Sequence, residues 1–388
     1  MKLQNRLLVV DDEPAICSLI KRVAEPLGFA VQSLTESAHF VETVSEFQPS
    51  LLVLDLKMPD CDGVQLLQQL KEGQSEAQVI VISGMDQRVL NTVEKLGRSQ
   101  GLRMVGVLHK PLKRAELEAK LSDALNNANS CSRESLQTAI RNRQLVVYYQ
   151  PKASRTADGW VVDGGEALVR WMHPDRGLLM PGSFLPFVEE YGLIQSLTDY
   201  VLETSVQQLA EWKNGRSAVR IAVNLSASLV DDMTFPERMA ALLRKHGVPG
   251  SMLAMELTES TAMSDATKAM DIFLRLCVND ISLSIDDFGT GFSSLVQLYQ
   301  LPFDELKIDR MFVRGLPDDD EARAIVRATV DMAHALNIKV CAEGVETRAA
   351  LDYLASVNCD RAQGYLISPA VPAAKFEGFL GHWNGSSA

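Results

Sequence analysis

Short runs of β-prone apolar residues alternate with stretches whose apolar residues recur every three or four positions along almost the whole 388-residue chain, and that alternation admits few architectures. Five such runs occupy the first third, at 7–10, 30–34, 51–54, 79–82 and 104–108. Strands separated by helices pair in parallel and are covered on both faces. The first part is therefore expected to be an α/β domain of flavodoxin-like form, a doubly wound sheet of five parallel strands. Eight further runs follow at 145–149, 161–169, 220–223, 252–255, 281–285, 305–308, 339–342 and 362–367. Eight strands interleaved with helices over roughly 250 residues is the size of a TIM barrel. The first two of these runs are joined by a short stretch containing Asp158-Gly159, a hairpin signal with no room for a helix. A modified TIM barrel with an antiparallel first strand is the expectation. Between the halves, NNANSCSRES at 126–135 is polar, and Ser132 or Ser135 is placed to cap a helix running toward Arg143. The expected division is a domain over 1–126, a linker over 127–135 and a barrel over 136–388.

Composition narrows the partners. No apolar run approaches the roughly 18 residues that cross a bilayer, so membrane insertion is not expected. The apolar stretch 7–10 meets Asp11, Asp12 and Glu13 at once, too short and too acidic for a signal peptide, so the expected compartment is the cytoplasm. Six cysteines lie far apart without C-x-x-C spacing and read as reduced, mostly buried thiols. A net charge of -12, with no basic cluster, disfavours DNA as a partner. Any phosphate ligand would have to be bound with the help of cations.

Ligands of doubly wound sheets sit beyond the carboxyl ends of the strands, where this chain carries Asp11, Asp12, Asp55, Ser83 and Lys110. Converging carboxylates repel unless a hard cation neutralises them, and Mg2+ is the natural occupant. Asp55 is then a plausible phosphoryl acceptor, with Ser83 and Lys110 binding the phosphate oxygens. Asp11-Asp12-Glu13-Pro14, Asp55 with Met58-Pro59, Ser83-Gly84 and Lys110-Pro111 resemble response-regulator receiver domains. The resemblance implies phosphorylation at Asp55 by a cognate sensor histidine kinase. It makes Asp12 and Asp55 metal ligands with Asp11 nearby, Ser83 the phosphate-sensing hydroxyl and Lys110 the phosphate partner. Val107 departs from the pattern, standing where many receivers carry a switch aromatic.

In the second part Glu166, Asn224, Glu256, Asp286, Asp287, Lys307, Glu343 and Gln363 close or sit within the apolar runs, and barrel sites lie at the carboxyl ends of strands. The four carboxylates Glu166, Glu256, Asp286 and Asp287, with the amide oxygen of Asn224, form an all-oxygen set suited to Mg2+ or Mn2+ and poorly suited to zinc. About four negative charges call for roughly two divalent ions, an arrangement that serves in-line displacement at phosphorus. Lys307 can orient the attacking water or stabilise phosphate charge, and Glu343 can accept a proton or position that water. Glu166-Ala167-Leu168, Asn224-Leu225-Ser226, Glu256-Leu257-Thr258-Glu259, Asp286-Asp287-Phe288-Gly289-Thr290-Gly291, Lys307-Ile308-Asp309, Glu343-Gly344-Val345-Glu346 and Gln363-Gly364-Tyr365 resemble the EAL family of cyclic di-GMP phosphodiesterases. The resemblance implies hydrolysis of cyclic di-GMP to linear pGpG with two metal ions, and a homo-oligomer, dimer or higher. Glu166, Asn224, Glu256, Asp286 and Asp287 take the metal role. Lys307, Glu343 and the metal-bound Asp287 take the catalytic one, and Gln150, Arg170 and Gln363 the substrate contacts. Glu259 supports the loop after Asp287.

Single matches weigh little. Asp287-Phe288-Gly289 also reads as a kinase metal motif, yet no His-Arg-Asp loop accompanies it. His173, beside Pro174, reads as a structural loop residue. Gly289 and Gly291 read as turn formers, and Asp309 and Glu346 as carboxylates outside the core site.

Overall fold

Alternate residues of each strand face opposite sides of a sheet, and in the first unit both sides are filled. The strands are β1 (Arg6–Val10), β2 (Ala30–Leu34), β3 (Leu51–Asp55), β4 (Gln78–Ser83) and β5 (Arg103–His109), parallel in the order β2-β1-β3-β4-β5. Leu8, Val10, Leu52, Leu54, Val79 and Val81 pack on one side with Phe40, Leu66, Leu67 and Leu90. Leu7, Val9, Leu51, Val53, Ile80 and Ile82 pack on the other with Ile20, Leu117 and Leu121. The covering helices are α1 (Pro14–Ala24), α2 (Phe40–Phe47), α3 (Gly63–Glu72), α4 (Gln87–Ser99) and α5 (Arg114–Ser130). The computed structural model describes residues 5–59, 61–73, 75, 77–99, 102–215, 219–262, 266–289, 298 and 300–383.

The chain divides into Met1–Ser132 and Arg133–Ala388. Helix α5 continues to Ser130, through residues read from the sequence as linker. The stretch holds no glycine or proline to stop it. The next helix, α6 (Arg133–Arg141), opens the second unit.

That unit carries β6 (Leu145–Thr156), β7 (Gly159–His173), β8 (Gly177–Leu179), β9 (Arg220–Asn224), β10 (Leu253–Thr258), β11 (Ser282–Phe288), β12 (Glu305–Ile308), β13 (Lys339–Ala342) and β14 (Arg361–Gln363). The order β6-β14-β13-β12-β11-β10-β9-β7 closes through a β6–β7 pairing into an eight-stranded barrel. β6 is antiparallel to both its neighbours, and the other pairs around the barrel are parallel. This is the modified barrel expected. Thr156 pairs with Gly159 across a two-residue turn, and Gly159 takes φ +122°, a conformation open to glycine. Both strands exceed their apolar runs: β6 continues to Thr156 through the residues that pair with β14, and β7 extends from Gly159 at the turn to His173 against β8. The last barrel strand is shorter than the run 362–367. A Cβ on Gly364 would lie 2.2 Å from Val345 O, and the chain turns there, with Ile367 N donating to Gly364 O at 3.1 Å. All six cysteines are free thiols, and among the described residues no helix is long and apolar enough to cross a membrane.

Candidate functional site

Consecutive residues of a regular strand point to opposite faces, so Asp286 and Asp287 should diverge. They do not. The pairing of β11 with β12 shifts register between Ile285 and Phe288, a bulge of the kind that re-aims side chains. Asp287 adopts φ +56°, a left-handed conformation that aspartate tolerates, and its N–H donates to Asp286 Oδ1 at 2.8 Å. Both carboxylates thereby turn toward Glu343, just past β13. One oxygen from each of Asp286, Asp287 and Glu343 lies within 4.8 Å of the others.

Lys307 is the hub. Its ammonium is 2.7 Å from Glu256 Oε2, 3.1 Å from Asp286 Oδ2, 2.5 Å from Glu343 Oε1 and 3.6 Å from Glu166 Oε2. Lys307 is 1% and Glu256 also 1% exposed, so these charges meet out of water. Glu166 Oε1 accepts from Asn224 Nδ2 at 2.7 Å, and its Oε2 from Gln363 Nε2 at 2.8 Å. Gln363 Nε2 also donates to Gln150 Oε1 at 3.1 Å, while Gln363 Oε1 is buried without a hydrogen-bond partner. Arg170, four residues beyond Glu166 and so on the same face of β7, lies 5.8 Å over the Tyr148 ring.

The electrostatics follow from crowding. Burial raises the Asp287 carboxyl, and Asp286 beside it adds to the effect, to about 7. Burial likewise pushes Glu343 to about 8, with Lys307 opposing and Asp286 and Glu166 adding. Burial acts to raise Glu256 too, but Lys152 and Lys307 outweigh it and bring the carboxyl to about 2. Burial acts to lower the Lys307 ammonium, yet the surrounding carboxylates hold it well above its ordinary value.

The structure thus brings Glu166, Asn224, Glu256, Asp286, Asp287, Lys307, Glu343, Gln150 and Gln363 together at one mouth. The tightest oxygen cluster contains Glu343 rather than Glu166 or Glu256. Glu259 accepts from Gly289 N at 3.1 Å, at the start of the loop it was expected to support; Thr290 and Gly291 lie outside the described residues. Asp309 approaches Asp287 closely enough to share a hydrogen bond and raise its carboxyl. His173 accepts from Asp175 N at 3.2 Å and packs on Trp171, away from the acid cluster's bonds.

Sequence reasoning missed Lys152, Glu305 and Arg361. Lys152 donates to Glu256 Oε1 and lies 3.6 Å from Glu305 Oε1, and Arg361 Nη1 donates to Glu305 Oε2 at 2.8 Å. The strand period held the signal. Lys152 is two residues from Gln150, Glu305 from Lys307 and Arg361 from Gln363, so each shares a face with a residue already singled out, one layer deeper in the barrel.

In the first unit, Asp11, Asp12 and Asp55 bring one oxygen each within 4.8 Å of one another. Lys110 Nζ lies 2.7 Å from Asp55 Oδ2, 3.0 Å from Asp11 Oδ2 and 2.9 Å from Glu13 Oε1. Burial acts to lower this ammonium, and the three acids raise it above its ordinary range. Asp55 Oδ1 accepts from Lys57 N at 3.2 Å and buried Ser83 Oγ from Met85 N at 3.2 Å. Val107 is half-buried on β5 against the core containing Leu54 and Val81.

Both acid sets offer only oxygen, with neither thiolate nor imidazole in the cluster, and the orphaned Gln363 oxygen adds a donor beside the barrel set. Hard divalent cations fit such donors.

Fold and site together define a class: a doubly wound unit with an acid-and-lysine pocket, followed in the same chain by a closed barrel whose mouth is lined with carboxylates. The response regulator receiver domain matches residues 7–122, and the EAL domain matches residues 133–370, more than half of the chain. The chain belongs to the EAL domain family. The bifunctional diguanylate cyclase/cyclic di-GMP phosphodiesterase MucR of Pseudomonas aeruginosa is 43% identical over 239 residues, 61% of this chain and 35% of that protein. The cyclic di-GMP phosphodiesterase PdeR of Escherichia coli is 37% identical over 243 residues, 63% of this chain and 36% of its own length. The chain thus spans about a third of these relatives. A solved MucR phosphodiesterase in complex with c-di-GMP is similar at TM-score 0.59 and 42% identity, covering 63% of this chain and 98% of that one. An EAL domain protein of Listeria monocytogenes is similar at TM-score 0.57 and 28% identity, covering 64% and 96%.

Proposed function

We propose that the chain is a response regulator whose barrel, over 136–388, hydrolyses cyclic di-GMP to linear pGpG, and whose receiver domain, over 1–126, regulates that activity through phosphorylation of Asp55 by a sensor histidine kinase. The observation that carries the reading is the convergence of Glu166, Asn224, Glu256, Asp286, Asp287 and Glu343 around Lys307. Relatives named as cyclic di-GMP phosphodiesterases support the choice of substrate.

Glu166, Asn224, Glu256, Asp286 and Asp287 would hold two Mg2+ or Mn2+ ions, with Glu343 close by. When bound, such ions supply Lewis acidity toward the attacking water and the phosphodiester oxygens. The remaining work belongs to side chains. Lys307 orients the water or stabilises negative charge developing at phosphorus. Glu343, within 4.8 Å of Asp286 and Asp287 and beside Lys307, is placed to take a proton from the attacking water. Gln150, Arg170 and Gln363 hold the nucleotide, Arg170 through its rigid fork. In the overall reaction the water oxygen bonds to phosphorus, the bond from phosphorus to the 3′ oxygen breaks, and that oxygen takes up a proton. In the receiver, Asp11, Asp12 and Asp55 would hold one Mg2+ while Ser83 and Lys110 bind the incoming phosphate oxygens. The expected setting is the cytoplasm, as a homo-oligomer.

Purified chain incubated with cyclic di-GMP and Mg2+ or Mn2+, with products separated by chromatography, tests the reading. Linear pGpG should form, formation should stop with chelator, and its rate should change with a phosphoryl donor. Binding of cyclic di-GMP without turnover under all these conditions would replace the enzyme with a nucleotide receptor.

A further inference from the structure

TIM barrel interiors are usually layers of branched apolar side chains. Beneath the mouth of this barrel runs a chain of alternating charges instead. Asp163 accepts from Ser154 Oγ and lies 3.5 Å from Arg361 Nη2. Arg361 Nε donates to Ser154 Oγ at 3.1 Å and its Nη1 to Glu305 Oε2 at 2.8 Å. Glu305 Oε1 faces the Lys152 ammonium at 3.6 Å. Lys152 donates to Glu256 Oε1, whose other oxygen accepts from Lys307 at 2.7 Å. Lys152 is only 3% exposed and Glu256 1%, so neither can take these bonds from water.

The consequence lies in the two oxygens of Glu256. Lys152 occupies Oε1 from below, which leaves Oε2 turned toward Lys307 and the mouth. A carboxylate held at one oxygen cannot rotate about its last bond without breaking that charge-assisted bond. We infer that Lys152 is a positioning residue for the cation site, fixing the orientation of the Glu256 carboxylate so that one oxygen faces the mouth. The inference rests on the proposed function insofar as that reading gives Glu256 a cation to bind.

The test is binding of Mn2+ alone, followed by electron paramagnetic resonance of the free ion, with thermal melting recorded in chelator. Lys152→Met should bind Mn2+ at least about tenfold more weakly, and Lys152→Arg should recover part of the loss. Arg361→Met loosens the far end of the chain but leaves Lys152 on Glu256, so it should lower the melting temperature without changing Mn2+ affinity. A merely structural role for Lys152 would move melting and not Mn2+ binding. Should Lys152→Met fail to fold, Lys152→Met/Glu305→Leu, which exchanges an ion pair for an apolar one, carries the same expectation. Unchanged or tighter Mn2+ binding in a folded Lys152 variant overturns the inference, as does an equal loss in Arg361→Met. If the wild type turns over no cyclic di-GMP while this order of Mn2+ affinities holds, the proposed function falls and the positioning role of Lys152 stands.

Discussion

Replacing Lys307 by methionine should make folding of the barrel depend on divalent cations. The ammonium lies within 4 Å of Glu166, Glu256, Asp286 and Glu343 and is 1% exposed. At 2.7 Å and an effective dielectric of about 20, one such pair is worth about 6 kcal/mol before the cost of burial is subtracted. Removing one partner of a buried pair typically costs about 3–5 kcal/mol, because the remaining charge stays buried. Total stabilities run from about 5 to 15 kcal/mol, so Lys307→Met in chelator should unfold at a far lower urea concentration than the wild type. A divalent cation can stand in for the ammonium among the same carboxylates. At a hundredfold excess over its Kd it should restore about 2.7 kcal/mol per site. The wild type should gain less, since its ammonium competes for the same oxygens. The assay is a pair of urea titrations per protein, with chelator and with Mn2+, at one fixed pH. A loss below about 1 kcal/mol in chelator, within the range of an exposed pair, or an equal loss with and without Mn2+, would show that Lys307 does not balance these acids.

Stability in chelator should also fall with rising pH. Asp287 and Glu343 titrate at about 7 and about 8 when folded, above their unfolded values, so the folded state binds the protons more tightly and loses that advantage as pH climbs from the ordinary carboxylate range through 8; urea midpoints across that window should drop, and should flatten when Mn2+ is present. Glu166→Ala and Asp286→Ala should each lower kcat for cyclic di-GMP by more than about a hundredfold, read as initial rates of pGpG formation. Asp55→Asn should reduce phosphoryl incorporation from a small phosphoryl donor to background and abolish any dependence of hydrolysis on that donor, measured by phosphate-affinity electrophoresis beside the rate assay.

The strand ends were legible in the sequence because a carboxylate closing an apolar run has few bland roles. Asp11, Asp12, Asp55, Asp286 and Asp287 each follow or end a buried strand, and the two acid clusters form from them with Glu343. The final barrel strand was drawn too long because 362–367 is apolar throughout most of its length. Buried Ile367 serves the turn that Gly364 makes against Val345, so its burial belongs to a loop. Helix α5 runs on through the polar stretch 126–130 because polarity alone does not stop a helix, and that stretch lacks a glycine or proline. The converging turn of Asp286 and Asp287 depends on a bulge that no local pattern announces. Lys152, Glu305 and Arg361 went unread for a related reason. A charged residue on a strand suggests a solvated face, and only the closure of the barrel shows that these faces look inward.

That closure also separates the acids that the chain neutralises itself from those left at the rim. Inside the barrel, Lys152, Lys307 and Arg361 stand against Glu166, Glu256 and Glu305, three positive charges against three negative ones, with side-chain exposures of 12% or less. The interior is balanced by the chain itself. At the rim, Asp286, Asp287 and Glu343 are less deeply buried, the side chains of Asp286 and Glu343 at 14% and 21% exposure, and the Lys307 ammonium that reaches these two is already engaged by Glu256. Unbalanced charge thus lies where water and a phosphodiester can reach it. Removing divalent cations from the wild type should therefore abolish turnover while leaving the far-ultraviolet circular dichroism and a cooperative melt intact. Loss of the barrel on chelation alone would mean that the buried lysines and arginine do not supply the balance their contacts imply.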